Sequence, residues 1–525
     1  MLFNSYIFIF TFLPIVLLGF LFLRRQASLW PLCWIVLASL FYYGWWKPQF
    51  LLLLLASISI NLIFGKMIIS GGLSRPASKM VLTMGVIFNL SVLAYFKYAG
   101  FFLANLNQLF AVGLPPLSIV LPIGISFITF QKIAFLVDAY RGEVRDFTIP
   151  NYIFFVTFFP QLIAGPIVHH AEIMPQLAHA AKRDFKADFA VGSSIFIVGL
   201  FKKVVVADSL AVYADAGYGM VKSGLPMNTA SAWITVLCYA FQLYYDFSAY
   251  SDMAIGLGRL FGIRLPLNFY SPYKADSIID FWRRWHMTLS RFLRDYLYFP
   301  LGGNRRGVFR RYFNLMIVML LGGLWHGANW TFAIWGGMHG FLLMCNHAWR
   351  KLPFTHVAFY RSIPVRMIAI LVTFFLVTLA WVPFRADTFS DARAMFIHLF
   401  SYSGFMGWES FVGCFKAQFM QSNHFAAWFQ PRELWPPVLP PDYLATEAQP
   451  VGIILLLTAL ATFLIPNTSQ LFAKFEPTCQ SKGHSQKQQL ALPRLNTSVA
   501  FMLAFMFVLS VLRLSHVSPF LYFQF

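Results

Sequence analysis

Long uncharged apolar stretches alternate with short basic ones along nearly the whole chain. Stretches able to approach or span a hydrocarbon core of about 30 Å cover residues 3–23, 26–46, 50–65, 80–96, 228–245, 367–384, 450–466 and 495–512. Less clean runs lie near 116–137, 150–168, 188–208 and 312–349, and together they predict about 11–13 membrane crossings. The pattern is that of an all-α polytopic membrane protein, read as a single domain over 1–525 with no internal repeat. The first run carries no Lys or Arg ahead of it and no small-residue cleavage site, so it is expected to remain as a membrane helix.

The charges between the runs predict the orientation. Arg24 and Arg25 follow the first run, only Lys47 occupies the next turn, and Lys66, Arg75 and Lys79 occupy the one after. That alternation satisfies the positive-inside rule. From 264 to 311 ten basic residues stand against three aspartates, which assigns this segment to the cytoplasm. Its Trp282, Trp285, Phe292, Tyr296 and Tyr298 suit short helices in the headgroup layer. Residues 312–349 hold no Lys, Arg, Asp or Glu but are basic at both ends, so they predict a helical hairpin or a re-entrant pair. Ser390 and Asp391 are placed to cap a short amphipathic helix carrying Met395, Phe396, Leu399 and Phe400. The acidic, proline-rich stretch 403–449 is read as an irregular outer-face segment, and 467–494 returns to the cytoplasm.

Composition reinforces this reading. Hydrophobic residues make up 58% and charged residues 11% of the chain, whereas soluble domains carry about 25% charged residues. The formal charge of +20 is dispersed between apolar runs, so it points to membrane lipid and topology and not to nucleic acid. Five scattered cysteines without a C-x-x-C pair suggest neither a metal site nor a disulfide framework.

The candidate chemistry centres on 281–340. His326 lies in the sequence Leu324-Trp325-His326-Gly327, fourteen residues past Tyr312, or about 21 Å along a helix. An imidazole inside an uncharged membrane run marks a functional site by default. It can bridge helices by hydrogen bonds, or it can act as a general base shielded from bulk water. The glycines at 322, 323, 327, 336 and 337 allow either close helix packing or a broken helix beside it.

His286 stands among Arg283, Arg284, Arg291 and Arg294 and reads as interfacial unless the fold brings it toward His326. Those arginines suit anionic lipid or a phosphate-bearing donor such as coenzyme A. His339 reads as a packing residue, off the His326 face unless the helix breaks at Gly336-Gly337. Asp246 and Asp252, six apart, do not share a helix face and are expected to pair with arginine or cap a helix. Lys202 and Lys203 are expected to snorkel to an interface. No Walker, dinucleotide or nucleophile-elbow motif is present.

Several stretches together resemble one family. WRRWHMTLSRFLRDYLY at 282–298, GGLWHGANW at 322–330, YYDFSAYSDMAIGLG at 244–258, LPIGISF at 121–127, FFPQLIAGPI at 158–167 and the terminal PFLYFQF are similar to the membrane-bound O-acyltransferase (MBOAT) family, in its bacterial alginate O-acetylase branch. Ala249 stands where relatives usually show Gly. The resemblance implies a many-helix fold around a tunnel in the bacterial inner membrane, with His326 and His286 as catalytic histidines and no bound cofactor. It also implies acetyl-CoA as acyl donor, held by Arg283, Arg284, Arg291, Trp325 and Asn329.

The implied partners are a periplasmic SGNH-type acetyltransferase and the polysaccharide synthesis and export complex, with alginate the acceptor polymer. Cellulose and peptidoglycan are alternative acceptors, and D-alanyl transfer to teichoic acid an alternative reaction. A transporter is the alternative from another class: intramembrane His and Asp residues are common there, but it predicts a symmetry between halves that the sequence lacks. A scaffold for polymer secretion leaves His326 without a task.

Overall fold

A computed structural model describes residues 1–26, 29–144, 147–180, 183–352, 362–401, 448–479, 495–514 and 519–521. The expected outer-face segment 403–449 lies almost entirely outside the described residues. So do most of the basic loop up to 494 and part of the PFLYFQF end.

The described chain is helical throughout. The first part comprises α1 (Leu13–Leu23), α2 (Trp30–Gly44), α3 (Gln49–Ile69), α4 (Arg75–Leu93), α5 (Ala99–Phe110), α6 (Ile125–Arg141), α7 (Ile149–Thr157), α8 (Phe159–Leu162), α9 (His170–Ala180) and α10 (Phe185–Phe201). The centre comprises α11 (Asp208–Lys222), α12 (Thr229–Leu260), α13 (Ile278–Trp282), α14 (Met287–Leu293), α15 (Gly307–His326) and α16 (Trp330–Trp349). It closes with α17 (Ile363–Arg385), α18 (Phe389–Phe400), α19 (Ala448–Leu464), α20 (Thr468–Leu471) and α21 (Thr497–Leu512).

Among the described residues four helical stretches are long and apolar enough to cross a membrane: Gln49–Ile69, Arg75–Phe110, Gly307–His326 and Ile363–Arg385. Shorter apolar helices cover Phe8–Leu23, Trp30–Gly44, Val451–Leu464 and Thr497–Leu512. Large apolar side chains such as Phe22, Leu52, Ile363 and Phe501 face outward at more than 70% exposure. A surface of that kind is costly in water and matches lipid.

The central helix is α12. Asn228 caps it by accepting from the Ser231 amide, and every side chain from Cys238 to Leu260 is buried. A helix polar or apolar all round can be buried only when neighbours cover all its faces. Here the later turns pack with α1–α10 in one core and the earlier turns with α11–α18 in a second. Phe292 and Trp325 belong to the first core, and Trp285, Phe332 and Trp335 to the second. The histidines discussed below lie where the two meet.

Several expectations are corrected by this packing. Lys203 does not snorkel: only 2% exposed, its ammonium pairs with Asp246 at 2.5 Å and Asp208 at 2.9 Å. Lys202 pairs with Asp252 at 2.7 Å. Both aspartates of α12 therefore find lysine and not arginine, because the π-helical turn Lys202–Ala207 after α10 aims both lysines at α12. Trp285 and Phe292 are buried and not in the headgroup layer, since α13 and α14 fold into the protein. The amphipathic α18 starts two residues earlier than expected, with Thr388 as its cap in a reciprocal pair with Asp391.

The hairpin over 312–349 forms, and it breaks at Gly327, not at Gly336-Gly337. Gly327 is extended (φ −156°, ψ 147°) and α16 runs unbroken through the glycine pair. Gly323 and Gly336 serve packing instead. A Cβ on Gly323 would stand 2.2 Å from the Phe332 carbonyl oxygen, and one on Gly336 2.2 Å from that of Met319. The two helices touch backbone to backbone at these points.

Candidate active site

His326 is the last residue of α15, 4% exposed. Its ring sits edge-on to Trp335 at 5.1 Å and to Phe384 at 5.2 Å, and beside Trp325 at 5.0 Å. Trp325 in turn stacks on Phe130 at 5.1 Å. The imidazole is thus walled by aromatics contributed by α15, α16 and α17.

His286 is fully buried, not interfacial, and its ring centroid lies 6.5 Å from that of His326. It caps α14 in the left-handed region at φ 42°, a strained conformation for a residue with a Cβ. Asn268 explains how the ring is held. The Asn268 Oδ1 accepts from Thr288 Oγ1 at 3.0 Å and from the Thr288 amide at 3.4 Å. A backbone amide fixes that atom as oxygen, so the His286 Nδ1 at 3.0 Å must donate to it. The hydrogen-bond network therefore assigns the proton to Nδ1 and leaves Nε2 as the basic nitrogen.

His339 belongs to the same aromatic layer. It packs on Trp335 at 4.9 Å and Phe281 at 5.9 Å, and its Nδ1 accepts from Trp282 Nε1 at 3.3 Å. Trp335 stands between it and His326.

Two cavities approach this cluster, one beside the middle of α15 and one at its end. The first, of about 920 Å³, is lined by Arg283, Arg291, Arg294, His347 and, along α15, Leu315, Val318 and Met319. It opens on the basic segment. The other, of about 470 Å³, is lined by Lys97, residues 120–127 and Trp325 at the end of α15. His326 lines neither cavity as shaped. Trp325 stands between its ring and the second, and Trp282, Met287 and Met319 border the first.

Of the arginines singled out, Arg283 faces the larger cavity. Arg291 faces it too but grips Glu172 through two hydrogen bonds of 2.5 and 2.9 Å. Arg284 pairs with Asp280 at 2.8 Å. Asn329 lines neither of these two cavities: it caps α16 by accepting from the Thr331 amide, and its Nδ2 donates to the Asp387 carbonyl at 2.8 Å.

Sequence reasoning passed over Lys97, Tyr98 and Asn268. Lys97 falls just beyond the expected span 80–96, whereas the helical path continues through a π-helical turn, Ala94–Tyr98, into α5. A lone lysine between two apolar runs was the available signal. Asn268 offered none, since only the fold brings it beneath His286.

Residues 78–384 match the MBOAT, membrane-bound O-acyltransferase family. The chain is 45% identical to a peptidoglycan O-acetyltransferase of Helicobacter pylori over 424 residues, 75% of this chain and 78% of that protein. It is 38% identical to the probable alginate O-acetylase AlgI of Azotobacter vinelandii, with both chains covered in full. A shorter match, 28% identical over 44% of this chain and 57% of the relative, is to a teichoic acid D-alanyltransferase of Streptococcus thermophilus.

Proposed function

This chain belongs to the membrane-bound O-acyltransferase family, and from that premise we propose that it takes an acetyl group from acetyl-CoA at its basic face and passes it across the bacterial inner membrane for O-acetylation of an exported polysaccharide, alginate. That it is an O-acyltransferase of the membrane follows from the family. The donor, the direction of transfer and the polymer are the proposal.

The observation that carries it is the meeting of His326 and His286, forty residues apart in sequence, with ring centroids 6.5 Å apart in an aromatic layer between two cavities. In the mechanism, the thioester enters from the cavity that Arg283 lines. The imidazole of His326 takes the proton of an acceptor hydroxyl, whose oxygen attacks the thioester carbonyl carbon. The carbon–sulfur bond breaks, and the proton passes to the leaving thiolate to give free coenzyme A. His286, with Nε2 basic, accepts a hydrogen bond from the donor and orients it. A periplasmic SGNH-type acetyltransferase completes delivery to the polymer, the hydroxyl at His326 belonging either to its serine or to the sugar.

The test is His326→Ala at normal membrane abundance. Ester-linked acetate on the polymer is expected to vanish, and wild-type acetylation overturns the mechanism. The 45% identity to a peptidoglycan O-acetyltransferase favours peptidoglycan as the second reading of the acceptor. Base-released acetate from alginate and from muropeptides of a deletion strain separates the two.

A further inference from the structure

We infer that Lys97 and Tyr98 form a clamp on the end of α15 and are positioning residues for His326, setting its imidazole behind Trp325, the indole that lines the smaller cavity. The inference rests on His326 as the reacting base.

A helix that ends leaves its last carbonyls without intrahelical partners, and in a membrane protein no water is at hand to take them. The last three residues of α15 show this need met from one place. The Tyr98 hydroxyl donates to the Leu324 carbonyl at 2.8 Å, and the Lys97 ammonium donates to those of Trp325 at 2.5 Å and His326 at 2.9 Å. The ammonium also reaches Ser126 Oγ at 3.4 Å. Both side chains leave the π-helical turn Ala94–Tyr98. An ordinary α-helix turns successive side chains about 100° apart. The wider turn, a feature recurring at functional sites, lets neighbours 97 and 98 meet three consecutive carbonyls of one helix end.

A cation at a helix C-terminus also opposes the partial negative charge gathered there. The clamp forms part of the cavity, because Lys97, Ser126 and Trp325 all line it. It acts on the side of the site remote from Arg283 and Arg291. Loss of the clamp therefore releases the backbone that carries His326 while leaving the donor cavity intact.

The experiment uses membrane vesicles from polymer-producing cells, holding the full-length protein together with its periplasmic partner and nascent polymer, with radiolabelled acetyl-CoA titrated onto the basic face and label transferred to the polymer measured as a rate. Lys97→Met is expected to lower the maximal rate about tenfold or more, since an ångström of misplacement can cost about 10²-fold. The KM for acetyl-CoA is expected to stay within about twofold, because uniform binding is untouched. Lys97→Arg keeps two donors on a cation and recovers most of the rate. Tyr98→Phe removes one oxygen and lowers the rate in the same way, so it decides the matter if Lys97→Met fails to accumulate. Wild-type rate in Tyr98→Phe or Lys97→Met overturns the clamp, as does a rise in KM with maximal rate unchanged. His326→Ala runs alongside. If it retains transfer, or wild-type vesicles take no label, the underlying reading fails. If it is dead while the clamp variants are active, the clamp alone fails.

Discussion

Replacing Gly336 by alanine puts a methyl group where α15 and α16 leave no room for one. The new Cβ would lie 2.2 Å from the Met319 carbonyl oxygen and 2.9 Å from its carbon, where ordinary contact begins at 3.4 Å. The obstacle is backbone, so relief requires the helices to part by about 1.2 Å at that level, and overpacking of this kind costs about 1–3 kcal/mol. The separation acts on the site because α16 carries Trp335, the preceding residue, whose ring stands 5.1 Å from that of His326 on α15. Acetyl transfer is expected to fall about 10- to 100-fold. Gly337→Ala supplies the control one residue away. Its Cβ would meet only Leu320 Cδ2, at 3.6 Å, and glycine to alanine inside a helix otherwise gains about 0.5–1 kcal/mol. Thermal unfolding of the detergent-solubilised protein and ester-linked acetate per unit of polymer read the two effects. Equal damage from both substitutions, or a Gly336→Ala protein of wild-type stability and activity, refutes the close backbone contact as the reason for the glycine.

Lys203→Met strands two buried carboxylates, those of Asp246 and Asp208, and is expected to cost about 3–5 kcal/mol. The double substitution with Asp246→Leu recovers part of that loss, and a single variant melting with the wild type contradicts the assignment. Arg291→Glu breaks a half-buried pair with Glu172 at a cost of about 2 kcal/mol. Adding Glu172→Arg restores stability; if acetyl-CoA KM recovers with it, Arg291 serves the fold, and if KM stays high, Arg291 holds the donor.

What the sequence carried best was periodicity and punctuation. Most apolar runs became helices because a segment of that composition has no other way to satisfy its backbone in hydrocarbon; the run near 116–137 is helical only from Ile125. Asn228 sits at a helix start where its residue type belongs, capping α12. The hairpin around His326 was legible from the gap in charge between Arg311 and Arg350. Its breaking point was not, because Gly327, Gly336 and Gly337 look alike until a neighbour shows which one lacks space. Ion pairing was the least legible. Lys203 and Asp246 are 43 residues apart, and next to an apolar run lipid and a buried carboxylate predict the same lysine. His286 followed the same course: arginines on both sides suggested an interface, yet α13 and α14 fold inward and leave only some of the arginines at the cavity.

The position of His326 at a helix end, and not within one, follows from these constraints taken together. Non-helical backbone at membrane depth is stable only when protein groups satisfy it. Lys97 and Tyr98 take the carbonyls on one side of the break, and Asn329 caps the amide side while tethering itself to Asp387. With both sides satisfied, the chain reverses within three residues and returns alongside through the Gly323 and Gly336 contacts. At the reversal its ring meets aromatics from α15, α16 and α17, with Trp325 between it and the second cavity. Trp325 and Trp335 pack against that ring, and in the proposed mechanism they have to yield for a thioester and a hydroxyl to meet there. Trimming either indole to leucine therefore probes access, while the clamp variants probe placement.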